Sequence, residues 1–212
     1  MRILVVNPNR LDGCTDGIRR AAESVAAPGT EIVAVQPEFG PVELAGQREV
    51  LLSAVGVLDC VARHGPGAAA VVLAGFGEPG REAVQETVDV PVLDITECAP
   101  AVAGLLGRSY TVVTSTRQAV PVVEDRLRAL GLLGRCAGIV PVGLGVAEML
   151  ERPEETRETV VEAAKRAEGD VVVLGCGGMA GMGRSVRVTT GLPVVDGVTA
   201  AVALAESLVR LD

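Results

Sequence analysis

Short runs of Val, Ile and Leu alternate along the chain with longer stretches in which apolar residues recur every three or four positions. The short runs predict strands at 2–6 (RILVV), 30–35 (TEIVAV), 69–74 (AAVVLA), 91–95 (PVLDI), 110–114 (YTVVT), 136–142, 171–175 (VVVLG) and 193–195. Runs this apolar suit strands buried on both faces, as in parallel sheets. The longer stretches predict helices. Thr15 stands as a cap before DGIRRAAESVAA. Segment 46–64 places Val50, Leu51, Ala54, Val57, Leu58 and Val61 at helical spacing. Segment 153–168 opens with Pro and acids and closes with Lys165 and Arg166, which suits the helix dipole. Segment 197–210 closes the chain. The Pro/Gly-rich stretch 36–45 predicts a loop, and 143–152 fits neither period. Strand and helix in alternation argue for a doubly wound α/β fold.

The pattern also repeats. VVLAG at 71–75 matches VVLGC at 172–176, an offset of 101, and VPVLD at 90–94 matches LPVVD at 192–196, an offset of 102. ILVVN at 3–7 echoes TVVT at 111–114 more weakly. Two matches in one order with nearly equal offsets argue for two related lobes. In that register Gly75 and Cys176 are equivalent, and a two-fold between the lobes makes them face each other.

Composition narrows the picture. Aromatics are 1% of the 212 residues and apolar residues 49%, so the core must be aliphatic. The net charge is −8 with no basic cluster, which argues against nucleic acid. The apolar runs are strand-length, so no membrane span is expected, and the opening MRILVVNP predicts a first strand rather than a signal peptide. Five widely spaced cysteines without a CxxC pair point to free thiols in a reducing cytoplasm. One histidine and scattered cysteines give no metal-ligand spacing.

In open α/β sheets ligands bind beyond the carboxyl ends of the strands. Four loops follow predicted strands there: NPNRLDGCT (7–15), GFGEPG (75–80), TSTRQ (114–118) and CGGMAGMG (176–183). Their glycines allow close backbone approach to a ligand, through Gly75, Phe76 and Gly77 on one side and Gly177 and Gly178 on the other. Cys176, at a strand end among glycines, is the candidate acid, base or nucleophile, with a depressed pKa expected. Asn7, Thr114, Ser115 and Thr116 can donate to a carbonyl or carboxylate. Arg10 can pair with a carboxylate or stand as a solvated loop charge. Cys14, Cys60 and Cys136 read as packing, Cys98 as an outside candidate, and His64 as a surface helix-end residue. The 177–183 glycines match no GxxxxGK[ST] phosphate loop, and the first strand is not followed by GxGxxG.

These motifs carry a resemblance. NPN after an opening strand, GFGEPG, VPVLDITEC, YTVVTSTRQAVPVVED, VVVLGCGGMAG and LPVVDGVTAAVALAESLVRL, in that order, resemble the hydantoin racemases of the aspartate/glutamate racemase superfamily. The resemblance implies two pseudo-symmetric flavodoxin-like lobes with parallel sheets and the active site in the cleft between them. The lobes would be residues 1–97 and 98–212, the last helix free to pack back on the first lobe. It implies pyridoxal-independent chemistry with no cofactor, a small carbonyl or carboxylate substrate, and a homo-oligomer.

Racemases of this kind carry one cysteine per lobe, on opposite faces of the substrate carbon. Cys176 matches the second; Gly75 stands where the family has the first. Arg10 and Leu11 stand where the family has a Thr-Ser pair. A single cysteine resembles the superfamily's arylmalonate decarboxylases, in which one cysteine protonates a carbanion. The expectation is therefore proton transfer by Cys176 at a carbon α to a carbonyl of an amino-acid-derived or hydantoin-like molecule. A racemase would then need Glu78 or Cys98 as replacement base. The alternatives are a one-face decarboxylase and a non-catalytic binding relative.

Overall fold

The computed structural model describes residues 1–77 and 79–211. Among the described residues eight strands form two four-stranded parallel sheets. The first contains β1 (Arg2–Val6), β2 (Glu31–Val35), β3 (Ala70–Leu73) and β4 (Val92–Asp94), in the order β2-β1-β3-β4. The second contains β5 (Tyr110–Thr114), β6 (Cys136–Pro141), β7 (Val171–Gly175) and β8 (Val194–Asp196), in the order β6-β5-β7-β8. The same order recurs, element for element. The central strands β1, β3, β5 and β7 are covered on both faces.

Helices fill the crossovers: α1 (Asp12–Glu23), α2 (Gln47–His64), α3 (Arg81–Gln85), α4 (Ile95–Leu106), α5 (Ala119–Ala129), α6 (Val146–Glu151), α7 (Pro153–Ala164), α8 (Gly183–Thr190) and α9 (Gly197–Leu211). Two stretches differ from expectation. Residues 143–152, ambiguous in pattern, contain α6. The first helix starts at Asp12, not after Thr15, because Asn9 Oδ1 accepts from the Leu11 N–H at 3.0 Å and turns the chain early. Thr15 lies inside that helix, its hydroxyl accepting from Asn7 Nδ2 at 2.9 Å.

Register makes the internal repeat physical. Leu73 pairs with Asp94, and Leu174 pairs with Asp196. Gly75 and Cys176 therefore lie two residues past equivalent points on β3 and β7. The repeated aspartates do the same work: Asp94 Oδ1 accepts from Glu97 N at 2.8 Å, and Asp196 Oδ1 from Val198 N at 2.9 Å, each starting the next helix. Those two helices cross between sheets. Ala99 and Ala103 of α4 pack with Val112, Val171 and Val173 of the second sheet. Val198, Ala201, Val202 and Ala205 of α9 pack with Val5, Val72 and Leu93 of the first. Among the described residues no helix is long and apolar enough to cross a membrane.

The interface also holds charge. Arg126 of α5 donates to Asp94 Oδ2 at 3.4 Å and to Glu82 Oε1 at 2.7 Å, and the Asp94 side chain is fully buried.

Candidate active site

The carboxyl ends of β1, β3, β5 and β7 converge on a cavity of about 40 Å³ between the sheets. Each sheet contributes its topological switch point, where neighbouring crossovers run to opposite faces and leave the strand ends open. The walls include Gly75 and Phe76 after β3, Ser115 after β5, and Cys176, Gly177 and Gly178 after β7. The equivalent residues of the two lobes, Gly75 and Cys176, thus share one cavity. Among its described lining residues only Asn9, Ser115 and Cys176 carry polar side chains.

Cys176 leaves β7 in extended conformation and begins a single 3-10 turn, Gly177–Met179. That turn needs its glycines. A Cβ at Gly177 would stand 2.9 Å from the Ala74 carbonyl oxygen, and one at Gly178 would stand 3.2 Å from Val146 Cγ1. The turn sets the N–H groups of Gly178 and Met179 near the sulfur, where with the Ser115 hydroxyl they pull the thiol pKa down; the Met179 N–H itself donates to the Cys176 carbonyl at 3.0 Å. These three groups favour a thiolate.

The expected depressed pKa is nonetheless overturned: Cys176 titrates above the ordinary thiol range. Burial is the dominant cause, opposed by the Gly178 N–H, Ser115 and the Met179 N–H, with the Glu43 charge adding to it. In this aliphatic cavity desolvation outweighs the donors, and the resting group is a neutral thiol.

Other candidates fall in different places. Phe76 lines the cavity and packs into the cores of both lobes. Gly77 adopts φ +99° and faces a neighbouring groove that Arg126 also borders; its N–H donates to Thr96 Oγ1 at 3.0 Å. Thr114 does not reach the cavity lining: its buried hydroxyl donates to the Gly175 carbonyl at 3.3 Å. Thr116 donates to the Ala45 carbonyl at 3.0 Å. Arg10 is exposed, and its Nε donates to the Gly40 carbonyl at 2.9 Å.

Asn7 is buried one layer behind the cavity. Its Nδ2 donates to Asn9 Oδ1 at 2.9 Å, so it orients Asn9, which does line the cavity. The NPN motif held this signal, but which asparagine faces the ligand depends on the turn that follows. Pro8, Leu44, Ala45 and Gly46 also line the cavity and were not singled out in sequence.

Of the proposed replacement bases, Glu78 lies outside the described residues. Cys98 is buried in α4, away from the cavity lining, its thiol pushed up to about 12 by burial and then by Asp94 and Glu97. Cys14 packs below Asn9, whose Nδ2 approaches its sulfur at 3.5 Å, and burial pushes it up to about 12.

Comparison with known proteins agrees with this architecture. The chain is 35% identical to the hydantoin racemase of Pseudomonas sp. (strain NS671), over all of this chain and 87% of the relative. It is 48% identical to the solved allantoin racemase of Pseudomonas fluorescens, covering all of this chain and 92% of that one at a TM-score of 0.95. Arylmalonate decarboxylase, at 21% identity and a TM-score of 0.64 over 99% of this chain and 92% of that one, shares the fold. The family model for Asp/Glu/hydantoin racemases matches residues 3–205, and with these relatives it places the chain in that family of racemases.

Proposed function

We propose that the protein moves a proton at a ring carbon α to a carbonyl in a hydantoin-like compound, with Cys176 as the acid/base group. The observation that supports this most is Cys176 at the head of a glycine turn in a small, largely apolar cavity that Ser115 also lines. A neutral thiol so placed can protonate a carbanion, and Ser115 with the Gly178 and Met179 N–H groups, which pull the thiol pKa down, favours the thiolate left behind. The reverse step takes the proton back. Asn9, the other polar lining side chain, can donate to the substrate carbonyl as negative charge develops there. Allantoin, a hydantoin carrying a ureido substituent, is the first compound to try, because a relative of 48% identity is described as an allantoin racemase.

A second reading, protonation from one face only, is favoured by one observation: Gly75, the counterpart of Cys176, offers no side chain across the cavity. Each enantiomer of allantoin, incubated with enzyme in D₂O and followed by NMR and chiral chromatography, separates the readings. Exchange with inversion supports racemisation. Exchange with retention supports single-face chemistry and removes racemisation. Cys176→Ala should lower either rate by about 10²–10⁴, the usual contribution of a general acid–base group. Wild-type turnover in that variant, folded by circular dichroism, would sink the role of Cys176.

A further inference from the structure

The segment between β2 and α2, residues 36–46, is irregular, as its Pro and Gly content predicts. Its last part does something its composition does not suggest. Residues 43–46 belong to the first lobe by connectivity but fasten onto the second. Glu43 Oε2 accepts from the Ala147 N–H at 3.1 Å, a bond between residues 104 apart in sequence. The Thr116 hydroxyl donates to the Ala45 carbonyl at 3.0 Å. Between and beside these ties, Leu44, Ala45 and Gly46 line the cavity that holds Cys176.

The receiving side is shaped for the carboxylate. A Cβ at Gly145 would lie 2.9 Å from Glu43 Oε2, so a larger residue there would push the carboxylate aside. Ala147 is the second residue of α6, and its N–H has no acceptor within its own helix. Val146, between them, lines the cavity, and a Cβ at Gly178 beside Cys176 would stand 3.2 Å from its Cγ1. The Glu43 carboxylate is thus tied to the same wall that carries the thiol, and its charge is felt there.

We propose that Glu43 is a positioning residue of this site, whose bond to Ala147 latches Leu44–Ala45–Gly46 as a strap across the two lobes and closes the roof of the Cys176 cavity. Tying the two switch points together fixes the distance between Asn9 and Cys176. It also keeps water off the thiol and off any carbanion formed beside it. Substrate entry then requires the strap to lift, breaking the Glu43 and Thr116 bonds together. The inference rests on the reading of Cys176 as the reacting group for its catalytic meaning, but the latch itself is testable without substrate.

The test is alkylation of Cys176 by N-ethylmaleimide at pH 7.5, followed by peptide mass spectrometry on the intact, folded chain. Glu43→Ala and Thr116→Val should each speed alkylation about tenfold. Thr116→Val leaves every charge in place, so its acceleration reports the strap rather than ionisation of the thiol. Glu43→Gln keeps an acceptor oxygen for Ala147 and should fall well short of Glu43→Ala. An unchanged rate in Thr116→Val would overturn the strap. Equal rates in Glu43→Gln and Glu43→Ala would overturn the latch. With allantoin, Glu43→Ala should raise KM more than it lowers kcat; if wild type does not act on allantoin, the alkylation result still decides the proposal.

Discussion

A Cβ placed on Gly75 would stand 2.7 Å from Cγ of Pro8, the proline of the opening NPN turn. Pro79 Cδ lies 3.1 Å away on another side. The proline ring therefore occupies the space that a side chain at the first-lobe counterpart of Cys176 would need, and a ring cannot swing aside as a flexible chain end can. Gly75 is not in the left-handed region, so the obstacle is contact and not backbone strain. Gly75→Cys alone should destabilise the protein by about 1–3 kcal/mol through overpacking. Combining it with Pro8→Ala should return part of that loss and give a cavity with a thiol on each face. The double variant should then invert enantiomers of allantoin faster than Pro8→Ala alone. Urea melts and chiral chromatography measure the two effects; a Gly75→Cys protein as stable as wild type would show that the proline yields freely.

Ser115 should tune the thiol. Its hydroxyl is among the groups that pull the Cys176 pKa down against burial. Ser115→Ala removes that donor, so the thiol should titrate still higher and the alkaline rise of its alkylation rate should move to higher pH. kcat/KM should fall about tenfold, the equivalent of one hydrogen bond of about 1.4 kcal/mol. An unmoved titration would show that the hydroxyl does not reach the sulfur.

The buried thiols set the alkaline limit of stability. Burial holds Cys14 and Cys98 up to about 12 and Cys60 up to about 11, against an ordinary thiol value of 9.0. Below pH 9 both folded and unfolded chains keep these protons, and stability is unaffected. Above it the unfolded chain releases protons that the folded chain retains, so stability falls until the folded values are reached. Each thiol contributes a slope of about 1.4 kcal/mol per pH unit in that window. Cys98→Ala should flatten the fall between pH 9 and 12 by one such slope, whatever its constant cavity cost. Urea midpoints across that range test this; parallel profiles for wild type and variant would refute it.

The Arg126–Asp94 pair should matter more than any surface ion pair. Asp94 has no exposure to solvent, caps α4 and receives Arg126 from the other lobe. Arg126→Leu leaves that carboxylate buried and without its guanidinium, at a cost of about 3–5 kcal/mol. Arg128, paired with Glu124 and Asp125 on the exposed face of the same helix, is the internal control. Arg128→Leu should change stability by less than about 1 kcal/mol. Similar urea midpoints for the two variants would contradict the assignment.

The sequence by itself determined the central strands and the duplication of the lobes. Val-rich runs buried on both faces leave a signature within five residues. Duplication leaves one at a fixed offset, so VVLAG and VVLGC revealed the equivalence of Gly75 and Cys176. Only the tertiary structure decided what those positions face. Asn9 rather than Asn7 reaches the cavity because Asn9 captures the Leu11 N–H and starts α1 early. Thr114 points its hydroxyl into the sheet, where the Gly175 carbonyl takes it. The Cys176 pKa rises because desolvation comes from walls supplied by both lobes, and no local motif carries that information. The strap at 43–46 reads as an ordinary loop because the donors that hold it, Thr116 and Ala147, are 71 and 104 residues away. Periodicity is a local property of a chain, whereas burial, charge and closure at a site between two lobes arise from segments that meet only once both sheets have formed.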